Sequence, residues 1–137
     1  MHAQEIIATH PHVKGNTNEP LIHCIEECYD CAQACTACAD ACLGEKSVAT
    51  LTQCIRLNLD CADVCVAVGA MASRRTGSNE AVLVSALRTC AAACRACGDE
   101  CTKHAGHHEH CKVCADACQR CADACDDAVS SIQATSH

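Results

Sequence analysis

Residues Cys24–Cys42 read CIEECYDCAQACTACADAC, six cysteines separated by steps of four, three, four, three and four. Alternating steps of three and four return a side chain to one face of an α-helix, the a and d seam of a heptad. The rhythm recurs along the chain. Cys54, Cys61 and Cys65 make a second row, Cys90, Cys94, Cys97 and Cys101 a third, and Cys111, Cys114, Cys118, Cys121 and Cys125 a fourth. Every step within a row is three, four or seven, so all 18 cysteines fall on helix seams. Random placement would put about two in seven there.

The remaining composition agrees with buried cysteine. The 137 residues include 25 Ala but only 22 Leu, Ile and Val together, one Tyr, and no Phe or Trp. A core of this size is ordinarily built from large aliphatic and aromatic side chains. Here cysteine and alanine must fill it. Between the cysteines stand Ala, Asp, Gln, Glu, Thr and Arg, which suit the small or polar outer faces of helices.

Breaks in the pattern divide the chain. Pro20 fits a first helical turn, with Thr17 or Asn18 as its cap. Gly44, the stretch RRTGSN at 74–79 and Gly106 interrupt the rows, and Ser78 or Asn79 can cap the third helix. The spacing predicts helices over 19–43, 46–73, 79–104 and 107–132. Short connections make sequential helices antiparallel. The expected fold is all-α: an up-down-up-down four-helix bundle with a cysteine-lined core over 19–137. Residues 1–18 form an N-terminal extension with a short helix over AQEIIATH, ended by Pro11.

Several function classes fall away. The net charge is −7, with the basic residues scattered and no aromatic platform, which argues against nucleic-acid binding. The longest apolar run, residues 64–72, is too short to span a bilayer. The N-terminal MHAQEIIATHPHVKG lacks a basic segment leading into an apolar one, so a cytoplasmic protein is expected. In a reducing compartment dense cysteines point to metal rather than cystine. A thiol oxidoreductase would carry its C-x-x-C beside a βαβ pattern, and no strands are evident. The acids Asp40, Asp63, Asp116, Asp123, Asp126 and Asp127 lie off the rows, on solvated faces.

Metal chemistry accounts for the rows. Neighbouring helical positions place Cβ atoms roughly 5–6 Å apart, whereas a disulfide needs about 3.8 Å. Two metal–sulfur bonds of about 2.3 Å span that gap after modest adjustment. Three-residue steps then let thiolates bridge successive ions. Buried thiolates without counter-charge are prohibitively costly, so a monovalent ion that replaces one proton leaves the core's charge unchanged. Cu(I) does this, is soft, and accepts two or three sulfurs. Zinc bound by four thiolates carries a net negative charge, and a stack of such units repels itself. Bridged clusters soften that penalty, so a metallothionein-like zinc or mixed-metal buffer stays open as the alternative. Iron–sulfur spacings ending in Cys-Pro are absent. A row-filled interior means capacity, hence storage or sequestration, rather than catalysis.

The C-x-x-x-C-x-x-C rows on four helices resemble the bacterial copper storage proteins, nearest their cytosolic branch, over residues from about 20 to 132. The resemblance implies a homotetramer of bundles holding many Cu(I) ions through thiolate pairs, with copper chaperones or cuproenzymes as partners. Exported relatives tend to place methionines at the open end. Here Met1 and Met71 lie on no cysteine row, so that feature is not carried over.

Histidines gather instead at the end where the Gly44 and Gly106 breaks meet. His104 continues the third row, three beyond Cys101. His108 stands three before Cys111, and His110 adjoins it. These three are candidate relay ligands at a mouth, with His107 left aside. The opposite end is expected to be closed by Val68, Leu83, Leu87 and Ile132. Asn58 occupies a row slot four after Cys54 and three before Cys61. Its oxygen is a hard, poor Cu(I) ligand, so a hydrogen bond to a thiol or a weak auxiliary contact is expected. His10 and His12, flanking Pro11, are not expected to bind metal.

Overall fold

The computed structural model describes residues 1–135; positions 136 and 137, the last of the expected bundle, lie outside the described residues. The described chain is helical throughout its regular elements. α1 is Ala3–Ala8, α2 Glu19–Leu43, α3 Thr52–Ser73, α4 Glu80–His104 and α5 Glu109–Thr135, with a 3₁₀ turn at Val48–Thr50 before α3. α2 packs on α3, α3 on α4 and α4 on α5, and α5 returns to α2, closing a four-helix ring. Contacts at the two ends fix its direction. Glu45 meets His110 where α2 turns into α3, and Asn18 meets Ser131 where α2 begins and α5 ends. The bundle is therefore antiparallel throughout.

Local chemistry explains most of the boundaries. Asn18 caps α2, its Oδ1 accepting from the Leu21 N–H at 3.1 Å, with Pro20 in the first turn. α4 starts after Asn79, whose side chain makes no capping bond. α3 begins at Thr52 rather than 46. Gly44 keeps a right-handed conformation, φ −83° and ψ −9°. Residues 44–51 are then spent on the reversal, which ends by turning Leu51 wholly into the core. Leu51 is three before Cys54, so its burial sets the rotation of the whole α3 row. α5 likewise starts at Glu109, two residues after the expected boundary, because the Ala105–His108 turn bonds back to His104.

Small residues bring the helices close. A Cβ on Gly98 would stand 3.3 Å from the Cys118 Cβ, and one on Gly69 would stand 2.9 Å from the Tyr29 ring. Ala32, Ala39, Ala62, Ala91 and Ala122 are buried beside the cysteine rows. The Asn18 end of the bundle is aliphatic. Val68, Leu83, Leu87 and Ile132 are all buried there, with Leu21, Ile22 and Ile25. α1 lies against α2 through Ala3 and Ile7, and His10 Nε2 meets Thr76 Oγ1 at 3.0 Å. Among the described residues α4 has the length and composition to cross a bilayer. Its four cysteines are nonetheless fully buried within the ring.

Candidate metal centre

All 18 cysteines are free and buried. Four seams pointing at one axis produce a column of sulfur in which neighbours from different helices touch. From the aliphatic end, Cys24 Sγ lies 3.6 Å from Cys125, Cys28 lies 3.8 Å from Cys121, and Cys65 lies 3.7 Å from Cys90. Cys61 and Cys94 are 3.6 Å apart, and Cys31 and Cys118 3.8 Å. Cys35 touches Cys118 at 3.6 Å, Cys114 at 3.7 Å and Cys97 at 3.9 Å. Cys54 and Cys101 are 3.5 Å apart, and Cys38 and Cys111 4.0 Å. Along single helices the i,i+4 pairs Cys24/Cys28, Cys31/Cys35 and Cys61/Cys65 stand at 3.8–3.9 Å.

Ligand atoms converge in fours. Cys28, Cys90, Cys121 and Cys125 form one such group, Cys31, Cys65, Cys94 and Cys121 another, and Cys31, Cys35, Cys61 and Cys118 a third. Cys35, Cys97, Cys114 and Cys118 follow, and Cys38, Cys42, His110 and Cys111 lie at the histidine end. Cys31, Cys35, Cys118 and Cys121 each belong to two groups. Isolated tetrahedral ions need private ligands, whereas shared sulfurs require bridged ions.

The sulfurs titrate against one another. Hydrogen bonding from Cys125 and then Cys28 pulls Cys24 down to about 5 against its burial. Cys125, held up first by Cys121 and then by Cys24, keeps the proton. Cys54 is pulled down to about 3, first by Cys101, then by Cys38, with a smaller contribution from the nearby charge of His104. Cys111 is pushed up to about 12 by burial and by Cys42 and Cys54 beside it. Burial likewise raises Cys42. Acidic sulfurs thus sit in contact with sulfurs that hold their protons.

Asn58 is fully buried in the column. Its Oδ1 accepts from the thiols of Cys97 at 2.9 Å, Cys114 at 3.3 Å and Cys101 at 3.5 Å, and its Nδ2 faces Cys54 Sγ at 3.9 Å. The three mouth histidines diverge. His110 points Nδ1 at Cys38 (3.4 Å) and Cys111 (3.7 Å). His108 stacks on His110, with ring centroids 5.5 Å apart, and reaches Ser47 and Glu45. His104 turns Nε2 to Glu100 at 2.9 Å. Glu45 and Glu100 were not among the residues the sequence singled out. Their signal is an acid four before His104 and one just past the Gly44 break, opposite HHEH.

The sequence profile of the copper storage protein family matches residues 17–130. The chain belongs to that family. Among solved copper storage proteins, Streptomyces lividans Ccsp loaded with 10 copper equivalents matches at TM-score 0.90 and 53% identity, over 93% of this chain and 98% of its own. The cytosolic copper storage protein of Streptomyces lividans with five coppers matches at TM-score 0.81 and 58% identity, over 82% and 93%. Cu(I)-bound BsCsp3, a Bacillus subtilis copper storage protein, matches at TM-score 0.66 and 41% identity, over 75% and 92%. The similarity to a copper-loaded relative thus extends over nearly the whole bundle, including all four cysteine rows.

Proposed function

We propose that this chain stores Cu(I) along its sulfur column, with the 18 row cysteines as ligands. The observation that carries the reading is the continuous run of buried free thiols with neighbours 3.5–4.0 Å apart. With metal–sulfur bonds of about 2.3 Å, two sulfurs on a trigonal ion stand about 4.0 Å apart and on a linear ion about 4.6 Å. Three-sulfur sites therefore need almost no rearrangement. Two-sulfur sites need the i,i+4 pairs to open by about 0.7 Å, within reach of small side-chain rotations.

Each Cu(I) takes the place of one proton, so the interior gains no net charge as it fills. Zinc at the shared four-sulfur groups would leave uncompensated negative charge, and the relatives that carry metal carry copper. Uptake runs through the His110 end. His110 is the relay between solvent and the Cys38, Cys42 and Cys111 thiols, with His104 and His108 as outer contacts and Asn58 as a hydrogen-bonding partner of the ligand set. The bundles assemble as homotetramers in the cytoplasm and pass copper to chaperones or cuproenzymes. A cytosolic relative supports that compartment.

Anaerobic titration with Cu(I) against a chromogenic chelator tests the reading. Uptake should approach one ion per thiol, with little change in far-ultraviolet ellipticity because the bundle forms before the metal arrives. Uptake of only a few ions, or displacement of Cu(I) by zinc, would overturn it. So would a large gain in helix on loading.

A further inference from the structure

At the histidine end of the thiol column, a carboxylate that a soft metal does not need meets two imidazoles. Glu45 Oε1 lies 3.5 Å from His108 Nδ1 and 3.2 Å from His110 Nε2. Ligand atoms on a tetrahedral zinc-class ion, with bonds of about 2.0–2.1 Å, stand about 3.3 Å apart. Both carboxylate–imidazole edges match that separation. The far nitrogens of the two rings are also pinned. His108 Nε2 meets Ser47 Oγ at 3.4 Å, and His110 Nδ1 meets Cys38 Sγ at 3.4 Å. A ligating imidazole ordinarily has its second nitrogen held by a hydrogen bond that fixes ring orientation and tautomer. The side chains are half-buried, at 14% exposure for His108, 26% for His110 and 36% for Glu45, so an ion can reach them from solvent.

We infer that Glu45, His108 and His110 form a binding site for a divalent cation of the zinc class, separate from the Cu(I) column and joined to it through the His110 ring. One carboxylate oxygen and two imidazoles supply three borderline or hard ligands, leaving a fourth position for water. No thiol is needed, so the site stands whether or not the column stores Cu(I). It nevertheless acts on the column. With a cation on Nε2, the His110 ring can carry a proton only on Nδ1, where it faces Cys38 and Cys111. Without the cation, Nε2–H is donated to Glu45, and the Nδ1 lone pair faces the thiols, free to receive Cu(I). Filling the outer site withdraws the relay nitrogen and slows copper passage.

Co(II) is the probe, added anaerobically to the full chain, with and without prior Cu(I) loading, in parallel with Glu45→Gln. The expected result is one Co(II) per chain with visible ligand-field bands and no sulfur-to-cobalt charge transfer. Glu45→Gln should weaken it about tenfold or more while taking up as much Cu(I) as the parent. Co(II) should also slow Cu(I) uptake in the parent and leave the rate unchanged in Glu45→Gln. Equal Co(II) affinity in the two proteins, or thiolate charge transfer at the first equivalent, would overturn the site. An unchanged uptake rate in the parent would overturn its coupling to the column. If the parent takes up no Cu(I), the storage reading fails, while Co(II) binding to the copper-free chain still decides the mouth site.

Discussion

Asn58 Oδ1 lies 2.9 Å from Cys97 Sγ, deep in the sulfur column and shielded from water. The Cys101 and Cys114 thiols donate to the same oxygen. The amide therefore gathers thiol protons from α4 and α5. Asn58→Ala leaves those donors without an acceptor and should destabilise the copper-free bundle by about 1–3 kcal/mol in denaturant unfolding. Asn58→Cys completes the α3 row and should raise Cu(I) capacity by about one ion per chain. An unchanged capacity would mean that the slot cannot take part in sulfur bridging.

Sulfurs differ in how many neighbours they serve. Cys35 touches Cys31, Cys97, Cys114 and Cys118, whereas Cys24 touches Cys28 and Cys125. If copper is bridged, Cys35→Ala should remove about two ions or more and Cys24→Ala about one. Native mass spectrometry of the loaded variants counts them. Equal losses would indicate private two-sulfur sites.

His110 faces the outermost thiols. His110→Ala should slow Cu(I) uptake about tenfold while lowering final capacity by no more than about one ion. Stopped-flow transfer from a Cu(I)–chelator complex separates rate from capacity.

At the other end Leu87 is fully buried. Leu87→Ala should cost about 2–5 kcal/mol in the copper-free protein, through lost transfer energy and the cavity left behind. The folded column presents its thiols already grouped, so if copper binds it more tightly than the unfolded chain, loading should restore part of the lost thermal stability. Thermal melts with and without Cu(I) measure both effects.

Asn18 both caps α2 and exchanges hydrogen bonds with Ser131 of α5 at 3.1 and 3.2 Å. Asn18→Ala should cost about 1 kcal/mol or more. Ser131→Ala, which spares the cap, should cost less.

The fold was legible because cysteine at helical spacing is a strong periodic signal, and the rows alone specify which face of each helix turns inward. Pro20 and Asn18 marked the start of α2 for the same local reason that the structure uses them. The start of α3 was not legible. Residues 46–51 have no proline and an acceptable helical composition, and only the tertiary need to turn Leu51 inward makes them a reversal. At the candidate site the column followed from the rows. The contacts of Asn58 did not, because Cys97, Cys101 and Cys114 belong to other helices whose relative heights the spacing leaves free. The mouth histidines were visible as a cluster. Their separate partners, Glu100 for His104, Glu45 and Ser47 for His108, and Cys38 for His110, depend on loop geometry that periodicity does not encode.

Val68, Leu83, Leu87 and Ile132 seal the column opposite the histidines. A column filled and drained only at its histidine end would behave as a stack. If copper enters and leaves only past His110, ions beside Cys38 and Cys111 would be the last to arrive and the first to leave, and ions beside Cys24 and Cys125 would be withdrawn only after the upper levels empty or pass their ions upward. Such a protein would answer brief demand from its top levels and long deprivation from its base, on two different timescales.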